Sequence, residues 1–446
     1  MTSIVSTGAA APARAANAAL IAKVTARLLP FLLLMYVLAF LDRANVGFAK
    51  GAFQADTGVS NAAYALGASI FFIGYAVFEI PSNLVMHRVG AKLWMARIMV
   101  TWGIVSAAMM FVHDETVFYV LRVLLGIAEA GFFPGVILYL TYWFPSQARG
   151  RAMGLFYFGA PLAFIFGSPL SGLLLEFNGV AGLKGWQWMF VVEGLLASIV
   201  GVWAYFYLDD RPTDARWLSD SEKRELTAAI AAEESHKHAH GPAGALAALG
   251  NGRVLYLSLI YFLIQMSVYG VVFYLPTQVA GLMGRNVGLA VGFVAAIPWV
   301  CALACAWFVP RLSDLTGERR LIGAATLAIA GIGIATSVAS ASPVLSLVAL
   351  CVAAAGFIAV QPLFWTFPTS YLGGAAAAGG IALINSLGAL GGFVAPNLKT
   401  WAEAAFASKA AGLYMLAGTT LIGAVLILGL GLLGLAGSVA LDRKSR

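Results

Sequence analysis

Charge is what this chain has least of. Only 11% of its 446 residues are Asp, Glu, Lys or Arg, while 61% are hydrophobic, and the mean hydropathy is +0.87. A soluble domain carries about 25% charged residues, so a water-bathed globule is excluded. Cysteine is scarce as well: Cys301, Cys305 and Cys351 fall in apolar stretches of the second half, and none lies in an outer loop, which excludes a disulfide framework. Cys301 and Cys305 stand one helical turn apart, but two thiols without further ligands make a poor metal site and read as small core residues. The tract His236-Lys237-His238-Ala239-His240 lies in a polar stretch with no acidic or thiol partner set. No metal and no other cofactor is expected. No ATP-binding motif occurs, so the energy for any uphill work has to come from a gradient.

What is present is apolar sequence in membrane-length pieces. A bilayer core needs about 20 apolar residues per helix. Stretches of that kind begin near Leu28, Ala62, Leu93, Thr116, Arg151, Trp188, Val254, Val287, Leu321, Val344, Ala377 and Gly412. An all-α membrane protein with twelve transmembrane helices is therefore expected. Ala-rich residues 1–19 precede the first apolar run instead of following it, the reverse of a cleavable signal, so that run is expected to be retained.

Lys and Arg fix the expected orientation. With both termini in the cytoplasm, nineteen fall in cytoplasmic segments and five, Lys50, Lys184, Arg285, Lys399 and Lys409, in outer loops. That asymmetry explains the pI of 9.3 as topology, with no nucleic-acid partner. The expected organisation is a cytoplasmic tail 1–27, a six-helix bundle 28–208, a linker 209–252, a second six-helix bundle 253–439 and a tail 440–446. Within the linker, Ser219 and Glu222 form a capping box for a helix.

The two bundles look like copies. Arg88-Val-Gly90-Ala-Lys92 after the second span mirrors Asp314-Leu-Thr-Gly317-Glu-Arg319-Arg320 after the eighth. Gly167-Ser-Pro169 and Val394-Ala-Pro396 repeat at the same offset. Paired halves around a linker suit a transporter that rocks about a central site.

Against this apolar background four ionisable residues stand out. Asp42 and Arg43 interrupt the first span, and Arg122 and Glu129 lie seven residues apart in the fourth. Charges inside spans are costly unless they face a watery cavity and act there. Asp42 lies about 21 Å above the cytoplasmic end of its span, and Arg122 about 9 Å below the outer end of its own. The two are thus level and expected to pair. Glu129 is about 10 Å deeper than Arg122 on the same helix face. Two guanidinium forks favour an anionic substrate, above all a carboxylate, and the two acids offer proton sites. The competing reading is a set of static ion pairs that hold helices together.

The Arg122-x-x-x-Gly126 pattern, the repeated loop motif and the Gly/Pro-rich fifth span resemble the major facilitator superfamily. Phe40 to Ala49, Glu79-Ile-Pro-Ser-Asn83, Gly126 to Gly135 and Asp214-Ala-Arg-Trp-Leu218 look like its anion:cation symporter family. Strings such as AYALGA, YLPTQVA and GFIAVQP bring the chain nearest to bacterial sugar-acid permeases of the rhamnonate type. The resemblance implies two pseudo-symmetric halves, a bacterial inner membrane location, a monomer, and small organic anions and protons as partners. It assigns Arg43 and Arg122 to the substrate's charge, Asp42 and Glu129 to protons, and Tyr75 and Asn385 to the cavity. Tyr157, Tyr269 and Trp365 are further candidates for its walls. Arg88, Gly90, Asp314, Gly317 and Arg319 are expected to act in gating, although His87 and Ala91 stand where the motif has an acid and a base.

The second-half spans read as free of ionisable groups and should supply hydrogen bonds and walls. Glu79 is expected to serve a gate or packing, and Arg97 and Glu193 to be structural. No His lies in a span near the buried acids, which argues against a membrane enzyme. The function expected is import of a sugar acid such as rhamnonate with protons. An aromatic acid or small dicarboxylate (phthalate, hydroxyphenylacetate, tartrate) is the alternative substrate, and an uncoupled uniporter or exchanger the alternative mechanism.

Overall fold

Twelve helices of the computed structural model are long and apolar enough to cross a membrane. It describes residues 10–237, 250–372 and 374–432, and all regular structure among these is helical. Spans one to six are Ala18–Thr57, Asn61–Met86, Ala91–Phe111, Glu115–Trp143, Arg151–Leu175 and Gly185–Tyr207. Spans seven to twelve are Gly252–Val272, Leu289–Thr316, Arg319–Ala339, Pro343–Pro368, Gly380–Ala405 and Ala411–Gly429. These are the twelve expected, with the first helix starting well before Leu28, at Ala10. The side chains of His87 and of the tract from His236 to His240 lie outside the described residues, as do residues 440–446.

Packing repeats between the halves. Span one packs on five, two on four and three on six; seven packs on eleven, eight on ten and nine on twelve. The halves meet along two seams, five against eight and two against eleven, which exchange under the same two-fold relation. Spans four and five are interrupted, and a third break follows span seven. Span four stops at Glu129 and resumes at Phe132, and the chain breaks again at Tyr157 in the fifth helix and at Phe273-Tyr274 after the seventh span. At the first break Gly131 adopts φ +87°, and a Cβ there would lie 2.4 Å from Ser82 Oγ. Only glycine fits that turn.

The linker helix Asp220–Lys237 begins at the capping box read from the sequence. Ser219 N donates to Glu222 Oε2 at 2.7 Å, and Glu222 N donates to Ser219 Oγ at 3.3 Å. Lys23 Nζ reaches both Glu222 carboxylate oxygens at 2.9 Å, tying the linker to the base of span one.

One expectation about charge is corrected. Lys399 is 6% exposed on the helix Gly374–Ala405 and not in an outer loop, and Lys50 sits on the first helix. The eleventh span runs past Lys399 to Ala405 because Lys399 and Glu403, one turn apart, form a 2.6 Å ion pair that lets the helix carry both charges inward. Arg311 and Asp314 also belong to a helix, the last turn of span eight. The second half is therefore not free of ionisable groups in its spans.

Candidate functional site

A cavity of ≈ 550 Å³ lies between spans one, five, seven, eight and ten. Its mouth, at Arg151, Arg311 and Asp314, opens on the side of the linker. The opposite end is shut. A Cβ on Gly292 would sit 2.3 Å from Ser168 O, one on Gly172 2.5 Å from Gly288 O, and one on Gly47 3.0 Å from Phe273 O. Phe164 and Trp299 stack across the same seam with ring centroids 4.0 Å apart.

Tyr36, Phe40 and Tyr269 form the deep end of the cavity, and Arg43, not itself a lining residue, reaches Tyr269 from behind that end. Arg43 Nη1 donates to Tyr269 OH at 3.1 Å, and Nη2 makes a short ion pair with Glu129 Oε1. The rings of Phe40 and Tyr75 flank its guanidinium at 5.1 Å. Its side chain keeps 11% exposure, whereas that of Glu129 has none. Arg43 thus joins the first span, the fourth span and the opposite half at one point.

The expected pairing of Asp42 with Arg122 is not what forms. Asp42 turns into the first half, accepting a short hydrogen bond from Ser106 Oγ and one of 3.3 Å from Asn45 Nδ2. Arg122 donates to Gly67 O at 3.1 Å and Ala68 O at 2.7 Å, and no ion pair joins it to Asp42. The reason lies in helix packing. Gly126 lets span four approach span two so closely that a Cβ there would sit 2.1 Å from Phe71 O, so the guanidinium one turn earlier meets backbone carbonyls. Phe71 separates the two arginines, 5.1 Å from Arg122 and 5.6 Å from Arg43. Asp42 Oδ2 and Glu129 Oε2 are buried without a hydrogen-bond partner in the protein.

The other candidates divide. Tyr157 and Tyr269 line the cavity; Asp42, Arg43, Tyr75, Arg122, Glu129, Trp365 and Asn385 are not among its walls in this conformation. Trp365 packs edge-on against Tyr261 at 4.9 Å. Asn385 Nδ2 donates to Glu79 Oε1 at 2.7 Å, and Ser386 Oγ to Glu79 Oε2 at 2.9 Å. Glu79 therefore bridges the halves along the seam between spans two and eleven. Glu193, buried, accepts from Ser171 Oγ at 2.7 Å, and Arg97 lies over the Trp94 ring at 3.8 Å. Gln265 lines the cavity beside Gln361 and was not singled out from the sequence. An amide one turn before Tyr269 in an otherwise apolar span was the available signal.

The repeated loops are built differently. Asp314 and Arg319 pair at 3.3 Å around Gly317, whose φ is +74°. Around Gly90, with φ +96°, the acid comes from elsewhere: Asp210 Oδ1 accepts from Lys92 N at 2.8 Å. Arg88 is exposed. Among the described residues no cluster of His, Cys, Asp and Glu is arranged to hold a metal ion.

The sequence profile of the Major Facilitator Superfamily matches residues 32–396. The chain is 54% identical over 409 residues to the inner membrane transport protein RhmT of Escherichia coli, covering 92% of this chain and 94% of that one. It is 45% identical over 408 residues to a putative tartrate transporter of Agrobacterium vitis, covering 91% and 93%. Among solved structures, a D-xylose-proton symporter superposes with a TM-score of 0.70 at 16% identity, covering 90% of this chain and 96% of that one. Twelve spans, two pseudo-symmetric halves and a central cavity accord with these likenesses: the chain belongs to the Major Facilitator Superfamily and is a multi-pass membrane transporter, not an enzyme.

Proposed function

We propose that this protein is a proton-coupled symporter that imports a small organic carboxylate, with a sugar acid such as rhamnonate as the preferred class. The observation that carries the reading is Arg43, a partly exposed guanidinium just behind the deep end of the cavity, shared between the buried Glu129 and the cavity-lining Tyr269 of the other half. A substrate carboxylate competes with Glu129 for the fork of Arg43. Once separated from its cation, a buried carboxylate costs several kcal/mol, roughly, unless it is neutralised. Glu129 then takes a proton, and the free Oε2 gives that proton a place. Asp42, also with a free oxygen, is the second proton site, and Arg122 supplies the positive field behind it. The distribution of Lys and Arg favours the linker and both termini in the cytoplasm of a bacterium, with the spans in its inner membrane.

The wall of the cavity refines the substrate class. Span five offers Tyr157 and apolar neighbours, which favours a body with a less polar end, as in a deoxy sugar acid. Gln265 and Gln361 supply amides for hydroxyls, each of which would cost about 1–3 kcal/mol if buried unpaired. The name of the Agrobacterium relative points the same way, to a hydroxylated acid.

The test is a thermal-shift panel of rhamnonate, galactonate, tartrate, phthalate and 4-hydroxyphenylacetate on purified protein, followed by uptake into proteoliposomes. Stabilisation by rhamnonate and accumulation that collapses with a protonophore are expected. Stabilisation by an aromatic acid alone removes the sugar-acid choice. Accumulation that persists without a pH gradient or membrane potential removes proton coupling.

A further inference from the structure

Tyr36, Arg43 and Lys50 follow one another at intervals of seven residues on the first span. Seven residues are nearly two turns, so all three share one helix face, about 10 Å apart. Tyr36 lines the cavity and Arg43 lies behind its deep end, so Lys50 stands beyond Arg43, in the closed seam on the face away from the linker. Its ammonium lies 4.8 Å from the ring centroid of Tyr274 and 5.2 Å from that of Tyr64. Lys399, from span eleven in the other half, lies 3.8 Å from the same Tyr274 ring. One phenol thus holds two ammonium groups contributed by opposite halves. Glu403 pairs with Lys399 at 2.6 Å, and among the described residues no carboxylate forms an ion pair with Lys50. The cluster has two cations and one anion.

Two ammonium groups that share one ring and one carboxylate are only partly compensated, since the attraction of a cation to a ring is weaker than an ion pair. The excess charge becomes useful when the halves part. Lys50 and Lys399 then stand on the two lips of the opening, with Arg43 two turns further in on the same helix face. Tyr269 and Tyr274 run parallel to this row on the opposing half, Tyr269 at Arg43 and Tyr274 at Lys50. The break at Phe273-Tyr274 lets the upper tyrosine move separately from the lower.

We propose that Lys50 and Lys399 form an outer docking site for the substrate's carboxylate, which captures the anion at the mouth and passes it along span one to Arg43. Tyr274 occupies the two ammonium groups when the mouth is shut, so closure and anion binding compete for the same cations. The proposal rests on the reading of the substrate as a carboxylate. It does not depend on which carboxylate is carried.

A membrane-impermeant amine-reactive ester applied to intact cells tests it, with Lys184 of the far-side loop as internal control and mass spectrometry as readout. L-rhamnonate or tartrate should slow labelling of Lys50 and Lys399 but not of Lys184, and neutral L-rhamnose should protect none of them. If none of rhamnonate, tartrate or 4-hydroxyphenylacetate protects either lysine, the site does not exist. Protection by tartrate in a protein that does not accumulate rhamnonate would remove the sugar-acid choice and leave the site standing. Kinetics give a second arm. Lys50→Gln and Lys399→Gln should raise KM for external substrate roughly 3- to 10-fold, with kcat little changed and the rise shrinking at high salt. Lys50→Arg should restore KM. An unchanged KM and salt dependence in both Gln variants overturns the proposal.

Discussion

The two halves share a packing plan and divide the chemistry unequally. In the first, Asp42, Arg43, Arg122, Glu129 and Glu193 are gathered in and around the interior, bonded to one another, to Ser106 and Ser171, or to the carbonyls of Gly67 and Ala68. The corresponding interior of the second half answers with Tyr269, Gln265, Gln361, Asn385 and Ser386. Lys399 and Glu403 are its exception, and they sit towards the far face. A fold that repeats by geometry need not repeat by charge. Concentrating the ionisable groups in one half means the other can move against it by breaking hydrogen bonds that are charged on one side only, Arg43 with Tyr269 and Glu79 with Asn385 and Ser386. Each such bond is worth up to about 3 kcal/mol net.

The largest effect should come from removing the charge that links the halves. Arg43→Ala is expected to lower uptake by roughly 100-fold or more, since it removes the cation paired with Glu129. Combining it with Glu129→Gln should recover thermal stability but not transport; recovery of transport would show that Arg43 is a structural tie only. Next, Glu129→Gln and Asp42→Asn should abolish accumulation against a gradient while leaving substrate exchange within about 3-fold of wild type. Normal accumulation by Glu129→Gln would take the proton role away from that residue.

A smaller effect is expected where charge meets a neutral partner. Asn385→Ala strips one of the two donors from the buried carboxylate of Glu79, costing this conformation about 1–3 kcal/mol. Distances between spin labels on spans two and eleven should then report a shift away from the present arrangement. Unchanged distances would mean that the bridge does not hold the seam. The smallest effect lies outside the membrane. The Lys23 ammonium, bonded to both oxygens of Glu222, holds that carboxyl below the ordinary range. A depressed carboxyl stabilises the folded contact above the unfolded value of about 4.3 and loses that contribution as pH falls through the lower folded value. Amide exchange in residues 220–230 should therefore quicken on acidification, and Lys23→Ala should remove the pH step.

The sequence made the spans legible because a bilayer tolerates little else: runs of apolar residues of one length can be read without neighbours. The capping box at Ser219 and Glu222 was legible for the same reason, being entirely local. Side-chain partners were not. Depth along the helices set Asp42 level with Arg122, yet the adjacent residue, Arg43, uses its long side chain to reach Glu129 two turns deeper in span four. Which of two neighbours on a helix faces inward depends on how that helix is rotated, and rotation is set by contacts such as Gly126 against Phe71. The bridge from Glu79 to Asn385 joins residues far apart in the chain, beyond any local pattern. Lys399 was misplaced because a charge pair one turn apart looks like the edge of a loop until the helix is seen to continue through it.

The first span is 40 residues long, so it measures about 60 Å, twice the thickness of a bilayer core. It behaves as a lever pinned near its middle by Arg43, with Lys23 gripping the linker at one end and Lys50 stacked at the other. A tilt of roughly 10° about the pin would carry Lys23, about 30 Å away, through roughly 5 Å, and Lys50 the opposite way by about a third as much. An event at one membrane face would thus reach the other through one continuous helix, with Pro30, between Lys23 and Arg43, the point at which it can bend.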